Sequence, residues 1–291
     1  MNVDTHRLTV IGIFTTDGAE WQHSRDMLRP NFVKSQVGDL DSFERHVGHL
    51  IAAIPKDRGT VDLSELFFRL TIDSATEFLF GESTESLTQS SEQGFALAFN
   101  RSQDFISTGS RKGNILKFFL PWLFKDPHFA QDRKFVHDFV DYYVDKGLAK
   151  RSQLLAEEKD KSGRYIFIDE LVRQTDDRAQ IRFELLNILL AGRDTTASLL
   201  TNVWWMLSKR PDLWRSLQKE VSSLDGAIPT LEELKNLKWL RALLNESLRL
   251  HPVVPQNSRM ATEDCVLPIG KFGMDFSSRM SPAHDYPRRR P

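Results

Sequence analysis

QIRFELLNILLAGRDTTASLLTNVWWMLSK, residues 180–209, is thirty residues long, and at about 1.5 Å per residue a helix of that length crosses a whole domain. Phe183, Leu185, Leu186, Leu189, Leu190, Leu199, Leu200, Val203, Trp204, Met206 and Leu207 occupy nearly every face of it. That pattern predicts a central helix buried on all sides rather than along one stripe. The middle departs from it. Ala191-Gly192-Arg193-Asp194-Thr195-Thr196 puts a glycine, two charges and two β-branched hydroxyl residues inside the helix. Glycine costs about 1 kcal/mol against alanine there, and a threonine hydroxyl can bond the carbonyl four residues back and bend the turn. Such departures gather at functional sites; the alternative is a kinked helix with a solvated polar turn.

Around this helix the composition is that of a globular chain. Apolar residues make up 40% of 291 residues, before 15 glycines are counted, which is enough for a core in one large domain or two. Thirty-nine Lys and Arg against 40 Asp and Glu leave a formal charge of −1. No global field favours nucleic acid or an anionic membrane, so an anionic ligand has to be held by local donors. The single cysteine, Cys265, excludes an intrachain disulfide framework and a Cys-rich zinc site, and fits a reducing, cytosol-facing environment. The opening MNVDTHRLTVIGIF lacks the basic segment and long apolar run of a signal peptide. The charge-free run 195–208 is short of the roughly 18 residues a membrane span requires. The chain is expected to be soluble, with no transmembrane segment of its own, or attached to a membrane by something it lacks.

Upstream, a helix over 20–29 sets Trp21, Arg25 and Arg29 four apart, aligning an indole N–H and two guanidinium groups on one face. The row suits a carboxylate or phosphate, since arginine forks grip planar anions; it also suits a solvated basic face with a half-buried tryptophan. A helix over 40–54 carries His46 and His49 at i, i+3, without a carboxylate or cysteine at ligand spacing to support a metal pair. The segment 61–81 is a scaffold helix opened by Asp62 and Glu65 and stopped by Gly81. Helices are expected over 91–107 and 135–155. Between them KFFLPWLF, 117–124, is core, a channel wall or a membrane-dipping loop, and EEKDKSGR, 157–164, is a linker. No fixed repeat appears, which argues against a solenoid. Beyond the central helix, Pro211 opens a helix to about 224, and Thr230 with Glu233 forms a capping box for a helix running to His251. Its Glu246 and Arg249 lie at i, i+3, a commonplace pair when exposed.

In order, four blocks resemble the cytochrome P-450 haem-thiolate monooxygenases: Trp21-x-x-x-Arg25, the AGRDTT centre, Glu246-x-x-Arg249 followed by Leu250-His251-Pro252, and Arg259. GIFTTDGAEWQHSRDMLRPNF, HDFVDYYV and AGRDTTA are similar to the fungal group that hydroxylates long alkanes and fatty acids. The resemblance implies a mainly α, partial cytochrome P-450 fold with haem as cofactor. It implies that Trp21 and Arg25 hold one haem propionate and Arg259 the other. Ala191 and Gly192 leave room for the haem face and oxygen, Thr195 hydrogen-bonds that oxygen, and Asp194 relays protons to it. Glu246 and Arg249 belong to a buried ion-pair network. The implied reaction is hydroxylation of an apolar, long-chain small molecule by O2, with electrons from NADPH-cytochrome P-450 reductase, at the cytosolic face of the endoplasmic reticulum membrane.

The chain departs from the family where the iron ligand belongs. The family loop, aromatic-x-x-Gly-x-x-x-Cys-x-Gly, has no counterpart, and Cys265 in TEDCVLP has neither glycine, so it is read as a small core residue in a strand and no metal ligand is assigned. From Gly270, GKFGMDFSSRMSPAHDYPRRRP loses periodicity, as an altered reading frame, a truncated gene model or a splice end would. The expectation is a partial P-450 domain over 12–268 that lacks the N-terminal anchor and the ligand loop, with an aberrant, disordered tail over 269–291. Two outcomes remain, a monooxygenase in truncated form or a non-catalytic fragment. An all-α interaction protein would give no reason for AGRDTT.

Overall fold

A computed structural model describes residues 12–32, 40–57, 59–88, 94–111, 127–156 and 165–256. The apolar patch 117–124, the linker 157–164, Arg259, Cys265 and the tail 269–291 lie outside the described residues. The regular elements within them are all helical: α1 Gly18–Leu28, α2 Leu40–Ala53, α3 Leu63–Phe80, α4 Phe95–Arg111, α5 Pro127–Ala149, α6 Arg151–Ala156, α7 Phe167–Gln174, α8 Arg178–Lys209, α9 Pro211–Val221, α10 Leu231–Asn236 and α11 Lys238–Leu250. The chain divides into two units at Val253 and Val254, and these helices belong to the first.

Local chemistry sets the ends of these helices. Asp62 accepts from the Ser64 and Glu65 N–H groups to open α3, and Gly81 closes it in the left-handed region at φ 79°, where a side chain would be strained. Asp177, which the sequence pattern did not single out, opens α8 by accepting from the Ala179 and Gln180 N–H groups at 2.9 and 3.0 Å. The Thr230–Glu233 capping box is present. The single helix expected beyond it is two, because Leu237 leaves the helical region at φ −71°, ψ 88°. The N–H groups this break exposes are taken by Glu220 of α9, whose carboxylate accepts from Trp239 and Leu240 at 2.8 and 2.9 Å. Helix α7 escaped the sequence reading because it is only eight residues long; tertiary burial of Phe167, Ile168, Leu171 and Val172 holds it.

Helix α8 packs along α3 and is flanked by α5, α7, α9 and α11. In its first half Ile181, Leu185, Leu186 and Leu189 are fully buried and join Ile72, Leu79, Phe99, Val140, Val144, Phe167 and Leu171 in the main core. Each such side chain contributes about 1.5–3 kcal/mol by leaving water. Aromatic rings knit α3, α4 and α5 together, with Phe80 stacked on Tyr143 at 4.7 Å and Phe95 on Phe139 at 4.1 Å. The expectation of burial on all sides holds only for this half. Beyond Ala191 the buried residues are Arg193, Ala197, Val203 and Leu207, while Trp204 and Trp205 are 40% and 51% exposed. The reason is geometric: from Gly192 on, one side of α8 meets no described element. Nor does the polar turn break the helix, which runs without interruption from Arg178 to Lys209 even though the hydroxyls of Thr195 and Thr201 donate to the carbonyls of Ala191 and Ala197 at 2.7 and 2.8 Å.

Candidate active site

Successive residues of a helix point about 100° apart, so AGRDTT divides between two sides of α8. Gly192 and Thr196 are exposed, and Ala191 and Thr195 are half-buried beside them. A Cβ added at Gly192 would meet no atom within 4 Å. This is an open strip on an otherwise packed helix, with the Thr195 hydroxyl at its edge. Arg193 and Ala197 point the other way, into the protein.

On that inner side Arg193 is only 4% exposed. Its Nη1 donates to Asp194 Oδ1 at 2.6 Å, its Nη2 donates to Asn100 Oδ1 on α4, and its guanidinium lies 4.7 Å from the ring centre of Phe68 and 5.6 Å from that of Phe99. Burial raises the Asp194 pKa above the ordinary carboxyl value, and the Arg193 charge opposes that rise. Burial likewise lowers that of Arg193, opposed by Asp194. Both residues line a cavity of about 860 Å³ shared with Asn100, Gln103, Asp104 and Phe68. Sequence reasoning gave Arg193 no task. The only signal was a lone guanidinium in an apolar helix, and its partner Asn100 is 93 positions away.

Trp21 and Arg25 lie together on α1 as the spacing predicts, with the Arg25 guanidinium 5.5 Å over the indole. Both are exposed, and no carboxylate among the described residues pairs with Arg25. The opposite side of α1 is anchored by buried Ser24, Met27 and Leu28. The carboxyl of Glu184 on α8 is buried, with neither oxygen hydrogen-bonded among the described residues, and burial raises its pKa while nearby Ser24, Ile13 and His23 oppose the rise. Glu184 lies about two turns before Ala191, roughly 10 Å along the axis of α8. Among the described residues no hydrogen bond or ion pair joins Trp21 or Arg25 to Asp194 or Thr195.

The remaining candidates stand apart. Glu246 and Arg249 form the expected pair, bidentate at 2.7 Å twice, but their side chains are 51% and 66% exposed. The expected burial is not found, because no described element covers that face of α11, and water and salt screen the pair. The hydrogen bond from Arg249 lowers the Glu246 pKa. His46 turns to Glu77 of α3, which also binds Ser42 and Arg45, so it serves the α2–α3 contact. Arg259 lies outside the described residues.

The architecture is that of a haem domain. It superposes on a mutant cytochrome P450DA heme domain with a TM-score of 0.73, over 88% of this chain and 56% of that one at 21% identity. On the cytochrome P450 CYP102L1 the TM-score is 0.68, over 85% and 57% at 20% identity. At such identities the likeness concerns the fold alone. Residues 4–271 match the family model for Cytochrome P450, and the chain belongs to that family. Its relatives include cytochrome P450 monooxygenase fsdH of Fusarium heterosporum, 43% identical over 89% of this chain and 47% of that protein, and cytochrome P450 52A5 of Candida maltosa, 44% identical over 89% and 51%. Cytochrome P450 52A12 of Debaryomyces hansenii is 44% identical over 89% and 52%. The chain spans about half the length of the curated relatives it matches.

Family and fold imply haem as the cofactor. The residues present are compatible with it on one side: nothing lies within 4 Å of a Cβ placed at Gly192, and Arg25 and the Trp21 indole offer donors to a propionate.

Proposed function

We propose that this chain supplies the oxygen-binding side of the haem site of a monooxygenase, within a partial P-450 domain over 12–268 that hydroxylates an apolar, long-chain alkane or fatty acid. The observation that carries this reading is the open strip at Gly192 with the Thr195 hydroxyl at its edge, next in sequence to the Asp194 carboxyl at the inner cavity. When bound, haem supplies the iron at which O2 is activated. The chain's own residues bind, make room and move protons. Trp21, Arg25 and Arg259 hold the propionates, and Gly192 keeps the approach clear. The Thr195 hydroxyl has one proton to donate, so turning it toward the oxygen releases the Ala191 carbonyl it now binds. Asp194, whose pKa burial raises, passes protons to that hydroxyl. Glu246 and Arg249 brace the end of α11. Electrons come from NADPH through a reductase, and the proposed location is the cytosolic face of the endoplasmic reticulum membrane. Among the described residues no helix is long and apolar enough to cross a membrane.

A second reading rests on Cys265, the only cysteine, which lies outside the family's ligand-loop pattern. On this reading the 291 residues alone are a non-catalytic fragment. One experiment separates the two. The chain as it stands, and a chimera carrying the C-terminal part of the Candida maltosa relative after position 268, are each loaded with haem, reduced and treated with carbon monoxide. They are then given reductase, NADPH, a long alkane or a long fatty acid. Only the chimera should show the thiolate-shifted Soret band and form hydroxylated product. A chimera that shows the band but oxidises neither substrate overturns the substrate assignment, and the band in the unmodified chain overturns the statement about Cys265. In the chimera, Thr195→Ala should keep haem and NADPH consumption but lose about tenfold or more of the product formed per NADPH, the rest appearing as peroxide.

A further inference from the structure

We propose that Arg193 is a positioning residue for Asp194, held to that task by Asn100 and the rings of Phe68 and Phe99, so that α3 and α4 together set how the Asp194 carboxylate is presented. The inference rests on the reading of Asp194 as the proton-handling residue.

Neighbouring residues on a helix do not face each other, so an arginine has no reason of its own to reach the carboxylate next to it. Arg193 does so because its guanidinium is fixed from outside the helix. Asn100 takes Nη2, two aromatic faces receive the cation, and what remains on that side for Nη1 is Asp194 Oδ1 at 2.6 Å. A guanidinium stays charged in a protein, and one that is 4% exposed requires such partners. The arrangement uses one carboxylate oxygen and leaves the other without a partner among the described residues, beside the cavity that Asp194 lines. The other charged and titratable groups at that cavity are Asp104 on α4, Glu65 and Arg69 on α3 and Tyr143 on α5. Arg69 is already bonded to Glu65, and Asp104 adds a negative charge that favours the protonated form of Asp194. Arg193 is thus the group that counters both burial and Asp104.

The test follows the Asp194 carboxyl itself in the 291-residue chain, by pH-resolved infrared difference spectra in which Asp194→Asn identifies its band. Arg193→Gln should bind the Asp194 proton about tenfold more tightly than the parent. Asn100→Ala, which keeps the charge but frees the guanidinium, should do so about threefold. Arg193→Lys should restore most of the parent titration. A residue that only fills space would alter stability and leave the titration in place. Parent-like titration in both Arg193→Gln and Asn100→Ala overturns the proposal; if Arg193→Gln does not fold, Asn100→Ala alone decides it in the same way. Failure of the proton-handling reading appears elsewhere, as unchanged product per NADPH in the chimera carrying Asp194→Asn, and leaves the infrared result intact.

Discussion

Glu184 shows what one buried carboxyl does to the molecule. It is 1% exposed, and burial raises its pKa above the ordinary 4.5 against the opposing influence of nearby Ser24, Ile13 and His23. A raised folded-state value means that the folded chain binds the proton more tightly than the unfolded chain. Its contribution to stability is therefore fully present below pH 4.5 and declines as pH rises through the folded value. Glu184→Gln should remove that decline. Melting temperatures of parent and variant should agree at low pH and separate toward neutrality, with the variant higher; parallel curves would contradict it. Asp169 and Asp194, both raised by burial, leave some slope of the same sign. None of this was visible in the sequence, where Glu184 is one acidic residue in a leucine-rich run. Its burial comes from α1, more than 150 residues earlier in the chain.

At the scale of elements, the join between α5 and the first turn of α8 is an ion cluster. Asp141 accepts from Nη1 of Arg178 and of Arg182 at 2.7 and 2.8 Å, and Asp145 takes the other edge of Arg178 at 2.6 and 2.8 Å. The two carboxylates are unequal, because the Asp141 side chain is 11% exposed and that of Asp145 56%. Asp141→Ala strands a half-buried guanidinium and should cost about 3 kcal/mol in denaturant unfolding. Asp145→Ala should cost less than about 1 kcal/mol. Equal losses would show that burial does not set the difference. Most helices here were readable from period and punctuation: Gly81, Pro211 and the Thr230–Glu233 box act through neighbours a few residues away. The break at Leu237 was not, because the Glu220 carboxylate that accepts the freed N–H groups comes from a separate helix.

At the scale of the whole molecule, the row of anion donors on α1 and the open strip on α8 belong to the same helical unit. If Arg25 serves a propionate, Arg25→Ala should weaken haem binding by the 291-residue chain about tenfold, as removal of one charge-assisted hydrogen bond does. Haem titration against equally folded parent and variant measures it, and equal affinity would sink the assignment. Helix α1 packs on α7, where the Gln174 side-chain N–H donates to the Met27 carbonyl at 3.3 Å, and α7 in turn packs on α8.

By itself the sequence determined the helical class, the central helix, the family resemblance and the residue types at the site, because period, caps and motif spacing are local properties. It also suggested that α8 was covered throughout, while the family resemblance implied that Glu246 and Arg249 were buried. Only the tertiary structure decided otherwise, since burial depends on which surfaces meet, and the face of α11 with that pair meets none described. The same holds for Arg193. Its identity was written in AGRDTT, but its task depends on Asn100, Phe68 and Phe99, which two other helices carry to it.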